Sequence, residues 1–108
     1  EFAPELVVAC GAAGVTLLRA TDREALTSSL QVAIDLNAVP PAGLEGVAVT
    51  AKDQPLSPND PQSPRVWGAL GVGGLKMKLH RRVLQLLFES SHSAFDAETI
   101  LDIARTMD

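Results

Sequence analysis

Apolar positions along this chain fall into three short runs, a proline-rich gap and two long periodic stretches. Leu6, Val7, Val8, Ala9 and Cys10 form a run with no polar interruption. An unbroken run, as against an alternating one, is what a strand buried on both faces of a parallel sheet requires. Leu30, Gln31, Val32, Ala33 and Ile34 predict a second strand, ending at Asp35. Val66, Trp67, Gly68, Ala69 and Leu70 predict a third, weakened by Gly68, which brings no side chain to pack. Between the first two, Thr21 and Glu24 have the spacing of a capping box, with Thr21 as N-cap of a short helix. Strand, helix and strand in succession predict a right-handed βαβ unit.

Residues 37–64 break the pattern. Every proline except Pro4 lies here, and no window has helical periodicity. Pro40 and Pro41, followed by Gly43, predict an ordered turn. Residues 53–64, with Pro55, Pro58, Pro61 and Pro64 spaced by three, predict a flexible surface loop. Two helices close the chain. One spans residues 75–89, entered through Gly73 and Gly74. The other follows Ser93, with Asp96 as its cap or first-turn acid and Ala97, Ile100, Ala104 and Met107 as its apolar stripe. The fold class is α/β: a parallel sheet of about three strands with two closing C-terminal helices, in one segment over residues 1–108. Glu1 and Phe2 are also what a common cloning site would encode.

Composition narrows the partners. A chain of 108 residues with 46% apolar content builds one core. The net charge of -4 attracts neither nucleic acid nor an anionic membrane. Lys76, Lys78, Arg81 and Arg82 cluster, and a solvated helix face accounts for them. Cys10 is the one cysteine, which excludes an internal disulfide and reads as a small core residue. No apolar run approaches a membrane span and no signal peptide is evident, so a cytoplasmic location is expected.

The candidate chemistry lies in three places. On the helix of residues 75–89, Lys78, Arg81, Arg82, Gln85 and Glu89 gather on one arc, the solvent face. Leu75, Met77, Leu79, Val83, Leu84, Leu86, Leu87 and Phe88 take the wider remaining arc. Lys76 and His80, one turn apart, are its polar exceptions. A lysine there either snorkels to water or serves a site; His80 reads first as a hydrogen-bonded core histidine, with a ligand contact as the alternative. Cys10, Gly11, Ala12, Ala13 and Gly14 follow the first strand. Small residues there leave room for a ligand at the carboxyl end of a sheet, and they also suit an ordinary tight turn. Residues 35–41, D-L-N-A-V-P-P, leave the second strand at the same edge, with a rigid proline pair fixing Asn37. No G-x-G-x-x-G, no phosphate-binding loop, no metal-ligand cluster and no nucleophilic triad occurs; His80 and His92 lack a nearby third ligand.

The stretch W-G-A-L-G-V-G-G-L-K-M-K-L-H-R-R from Trp67, then L-F-E-S-S and F-D-A-E-T-I, closely resembles the C-terminus of bacterial methylene-tetrahydromethanopterin dehydrogenases. So do V-V-A-C-G-A-A-G-V from Val7 and A-I-D-L-N-A-V-P-P-A-G-L-E-G-V from Ala33. The likeness covers nearly all of residues 6–107, and G-G-L-K-x-K-L-H-R is its most specific part. It implies the second half of a Rossmann-like sheet, in a longer protein whose glycine fingerprint and substrate domain lie upstream. The implied reaction moves hydride from methylene-tetrahydromethanopterin, or methylene-tetrahydrofolate, to NAD or NADP without a metal. By the same resemblance Lys76 is the lysine beside the pterin; because the product is cationic, its ammonium is expected at a pterin carbonyl, orienting the carrier, and His80 is a further candidate for substrate binding. Gly11, Ala12, Ala13 and Gly14 match the loop near the nicotinamide ribose. Asn37 and Pro40 match the loop beside the nicotinamide. A homo-oligomer is expected, with no nucleic-acid or membrane partner. The 108 residues alone are expected to be inactive. The alternatives are a non-catalytic interaction module and a related dehydrogenase of the tetrahydrofolate type. Residues 53–64 have no firm match in the family.

Overall fold

The computed structural model describes residues 3–26, 28–89 and 94–107. Glu1, Phe2, His92 and Ser93, on which sequence expectations fell, lie outside them. The chain is mixed α/β: β1 (Leu6–Ala9), α1 (Ala20–Glu24), β2 (Val32–Asp35), β3 (Gln54–Pro55), β4 (Arg65–Trp67), α2 (Ala69–Glu89) and α3 (Ala97–Arg105). It forms two compact units, divided between Val72 and Gly73.

The first unit holds an open four-stranded sheet in the order β1-β2-β4-β3. β1, β2 and β4 are parallel, with Val7 opposite Ala33 and Ala33 opposite Val66. β3 adds a fourth, antiparallel strand that the sequence reading did not contain. Pro55 fits β3 because that strand lies at the sheet edge, where a missing N–H costs no ladder bond. Past it the chain turns tightly. Leu56 N–H donates to the Pro64 carbonyl at 2.9 Å, Ser57 N–H to Ser63 Oγ at 2.7 Å, and Gln62 N–H to Asp60 Oδ1 at 2.9 Å.

Register sorts the strand residues onto two faces. Val7, Ala9, Ala33, Asp35 and Val66 share the face beneath which the core forms, joined by Leu30, Leu44, Val47 and Ala51. Thus the cover of this face is largely the irregular connection after β2. The other face carries Leu6, Val8, Val32, Ile34 and Trp67. Leu6 and Val8 are 55% and 43% exposed there, so β1 is not buried on both sides as its unbroken apolar run predicts. Cys10 is likewise exposed, not a core residue, because the chain leaves the sheet at Ala9.

Two helix starts differ from expectation. Arg19, not Thr21, is the N-cap of α1, and no side chain caps there in the usual way. Instead the Glu45 carboxylate accepts the Ala20 N–H at 2.9 Å. A carboxylate favours a helix N-terminus whichever part of the chain delivers it, so a distant residue displaces the local box. α2 begins at Ala69, six residues before its expected start, and absorbs Ala69 and Leu70 from the third predicted strand. Its first amides are met by a loop of the same unit: Gly68 N–H donates to the Ala51 carbonyl at 2.9 Å and Leu70 N–H to that of Val49 at 2.8 Å.

In the second unit the arc of Lys78, Arg81, Arg82, Gln85 and Glu89 is exposed as expected. Arg82 donates to Gln85 and Gln85 to Glu89 along it. Much of the opposite, apolar arc is open too, with Leu75 53% and Phe88 89% exposed. α3 starts where the sequence reading places it: Asp96 is the N-cap and its Oδ1 accepts Thr99 N–H at 2.8 Å. That bond holds the Asp96 carboxyl below its ordinary value. A lowered folded-state value contributes stability above the unfolded value, lost as pH falls through the folded one. Asp96→Ala is therefore expected to reduce the helicity of α3 at neutral pH. The circular-dichroism difference from wild type should close once both folded and unfolded carboxyls are protonated; a difference independent of pH would show the cap to be unimportant.

Candidate functional site

In the first unit, the segments leaving β1 and β2 come together at the carboxyl end of the sheet. Leu36 N–H donates to the Ala9 carbonyl at 2.9 Å, so the two strands stay paired to their last residue. The glycine segment then folds against the proline turn. Gly14 takes φ of +74°, a conformation that strains other residues, and a side chain there would lie 3.6 Å from the Pro40 carbonyl oxygen. Gly14 N–H reaches Asn37 Oδ1 at 3.4 Å. Further on, Leu17 and Leu18 N–H both donate to the Gly43 carbonyl, at 2.8 and 3.0 Å, and Glu45 N–H to that of Leu18 at 3.0 Å.

Asn37 is the knot of this arrangement. Its Oδ1 also accepts Val39 N–H at 3.0 Å, and its Nδ2 donates to the Pro41 carbonyl at 2.7 Å. The Pro40-Pro41 peptide is cis. Asn37 thus turns its amide onto its own loop as well as toward Gly14. At about 1 kcal/mol net per hydrogen bond, Asn37→Ala is expected to cost roughly 1–2 kcal/mol in these part-exposed surroundings. Urea unfolding reads this directly; an unchanged midpoint would mean that the proline pair holds the loop unaided.

Beside this junction lies an apolar cavity of about 260 Å³, lined by Asn37, Ala38, Val39, Pro40, Ala42, Val47 and Val49. Its walls are aliphatic, and its polar groups are those of the Asn37 turn. Such a lining suits an apolar group oriented by a few polar atoms. Gly11, Ala12, Ala13 and Gly14 flank the same edge. All but Gly14 are exposed, and Gly11 packs so closely on Leu17 that an added Cβ would lie 2.7 Å from its Cδ1.

Asp35 ends β2 beneath this loop and is 2% exposed. Burying a carboxyl without partners costs several kcal/mol, which makes its bonding informative. Oδ1 accepts Asn37 N–H and Oδ2 accepts Leu44 N–H, each at 3.0 Å. The sequence reading placed Asp35 only as a strand end. A lone carboxylate closing an apolar run was the one signal available.

In the second unit, Lys76 and His80 share a small groove of about 170 Å³ with Leu79, Val83 and Ile100. The one-turn spacing on α2 brings the two polar groups side by side, and Ile100 comes from α3. Both side chains are exposed, so Lys76 is not a buried lysine in this chain. Aliphatic side walls below a cation and an imidazole make a groove suited to a flat heterocycle with carbonyl or ring-nitrogen acceptors. Among the described residues, no group of three His, Cys, Asp or Glu is placed to hold a metal ion. None of the described helices is long and apolar enough to cross a membrane.

No protein-family model matches the chain. Two curated proteins of Methylorubrum extorquens are similar to it. The bifunctional protein MdtA is 43% identical over 103 residues, which is 94% of this chain and 33% of that protein. An NAD(P)-dependent methylenetetrahydromethanopterin dehydrogenase is 40% identical over 87 residues, 80% of this chain and 28% of that protein. The chain spans about a third of the length of these relatives.

Proposed function

We propose that this chain is the part of a methylene-tetrahydropterin dehydrogenase that receives the nicotinamide end of NAD or NADP and presents Lys76 to the one-carbon carrier. The observation that carries this reading is the junction of Gly14 with Asn37 beside an apolar cavity at the carboxyl end of parallel strands. Open α/β sheets bind their ligands at that end. Three parallel strands in chain order support the second half of a Rossmann-like sheet. The similarity to a protein named for NAD(P) and methylenetetrahydromethanopterin supplies the substrate class.

The residues fit a nicotinamide. Val39, Val47 and Val49 would cover one face of a ring, with the Asn37–Pro40 side of the cavity at its edge. A nicotinamide held there would supply the hydride acceptor. Gly14 keeps the approach to the ribose clear of side chains. Departure of hydride leaves the carrier cationic, so an ammonium touching the reacting carbon would oppose the reaction. Lys76 is therefore assigned to a pterin carbonyl, with His80 as a second hydrogen-bonding contact and Leu79 and Val83 beneath the ring. No dinucleotide fingerprint lies within these residues, so the pyrophosphate is assigned to a part of the protein outside them. A cytoplasmic homo-oligomer belongs to the same reading.

The test is reduction of NAD and of NADP by the protein expressed from its complete reading frame, with methylene-tetrahydromethanopterin and with methylene-tetrahydrofolate. Carrier-dependent formation of reduced nicotinamide is expected, and none from the 108 residues alone. A cooperatively folded protein that turns over neither carrier with either nucleotide would end this reading.

A further inference from the structure

We propose that Asp35 is the positioning residue of this site: its buried carboxyl clamps both ends of the 37–44 loop, which forms one wall of the cavity, and so fixes the width open to a ligand ring. The clamp itself is independent of the ligand, and its effect on a nicotinamide rests on the function proposed above. Nothing in the packing of the sheet calls for a carboxyl here. Asp35 lies opposite Ala9 in register and shares its face with the apolar Ala33 and Val66. What it does meet are two backbone amides. One belongs to Asn37, where the 37–44 loop enters the cavity wall; the other to Leu44, just past Ala42, while Val47 and Val49 line the cavity from beyond the clamp. One oxygen serves each, both at 3.0 Å, so the two ends of the loop are tied to a single rigid group.

Neighbouring residues accommodate this clamp and pass it on. A Cβ at Gly43 would come within 2.7 Å of Asp35 Oδ1 and 3.4 Å of the Ala9 Cβ, so the carboxyl rests on a glycine. The carbonyl of Gly43 in turn receives Leu17 and Leu18, which close the glycine segment. At the other end, Asn37 carries the constraint through its side chain to Gly14, Val39 and Pro41. Asp35 does not line the cavity. It acts through the loop, not on the ligand.

Asp35→Asn tests this, because it preserves shape but turns one acceptor into a donor facing an N–H. In the protein expressed from its complete reading frame, the KM for the nicotinamide nucleotide is expected to rise about tenfold with kcat changed little. Val66→Ala, which removes volume from the same buried face away from the loop, is the control: its Tm falls while KM stays. If Asp35→Asn lowers Tm and leaves KM unchanged, Asp35 is a structural residue and the proposal fails. Should Asp35→Asn not fold, Gly43→Ala, which presses on Oδ1, is read the same way. Amide hydrogen exchange separates this from the functional reading. Asn37 and Leu44 N–H are expected to exchange faster in Asp35→Asn than in Val66→Ala, with no ligand present. Unchanged exchange overturns the clamp; a wild-type protein that binds no nicotinamide nucleotide overturns the functional reading alone.

Discussion

Replacing Lys76 by methionine is expected to lower kcat roughly a hundredfold, the scale on which misplacing the reacting atoms by about an ångström acts. Methionine keeps an unbranched apolar stem in the groove with Leu79 and Val83 and removes only the ammonium. Lys76 is exposed, and substitutions at such positions usually change stability by no more than about 0.5 kcal/mol. Activity and stability should therefore separate. Steady-state kinetics with the carrier varied, set beside a thermal melt, decides between the two readings that the sequence leaves open. A fall in kcat at constant Tm makes Lys76 a site residue. Near-normal kcat with a depressed Tm makes it a snorkelling side chain that packs the groove, and the carrier must then be oriented by something else.

Gly68→Ala is expected to be among the most damaging single methyls in the first unit, costing about 3 kcal/mol or more. The added Cβ would fall inside contact distance of the carbonyl groups of Ala48 and Val49. Both are backbone atoms, so no side chain can swing away to make room. Relieving the clash means lifting the loop off β4, which also strips the Gly68 and Leu70 amides of their partners at Ala51 and Val49. Gly74→Ala is the internal control. Nothing lies within 4 Å of its added methyl, and a glycine within a helix is worth about 1 kcal/mol less than alanine. The same substitution should thus destabilise at one position and raise helicity at the other. Urea unfolding with a circular-dichroism readout compares them; equal effects would show that the loop over β4 yields easily.

The positions where expectation and structure part company share a cause. Thr21 and Glu24 have the spacing of a capping box, yet Glu45 reaches the helix first, because the Leu18–Leu44 pairing brings residue 45 beside Ala20. Gly68 weakens a strand on paper and ends it in fact, since only a residue without Cβ admits the carbonyls of Ala48 and Val49. Asn37 was visible as a polar residue fixed by prolines. That its amide would grip Gly14, Val39 and Pro41 depended on how two loops meet, which local spacing does not encode.

By itself the sequence determined the parallel strands, the crossover between the first two, the Asp96 cap and the pairing of Lys76 with His80. Each follows from interactions between residues near in the chain or from an apolar period that only one element satisfies. The tertiary structure alone decided what covers the sheet, where α1 and α2 begin, that Cys10 is exposed, and that Asp35 is the buried carboxyl beneath the cavity loop. Those outcomes turn on contacts between segments distant in sequence. A buried acceptor takes whichever backbone amides the fold brings within reach, and no pattern along the chain says which they will be.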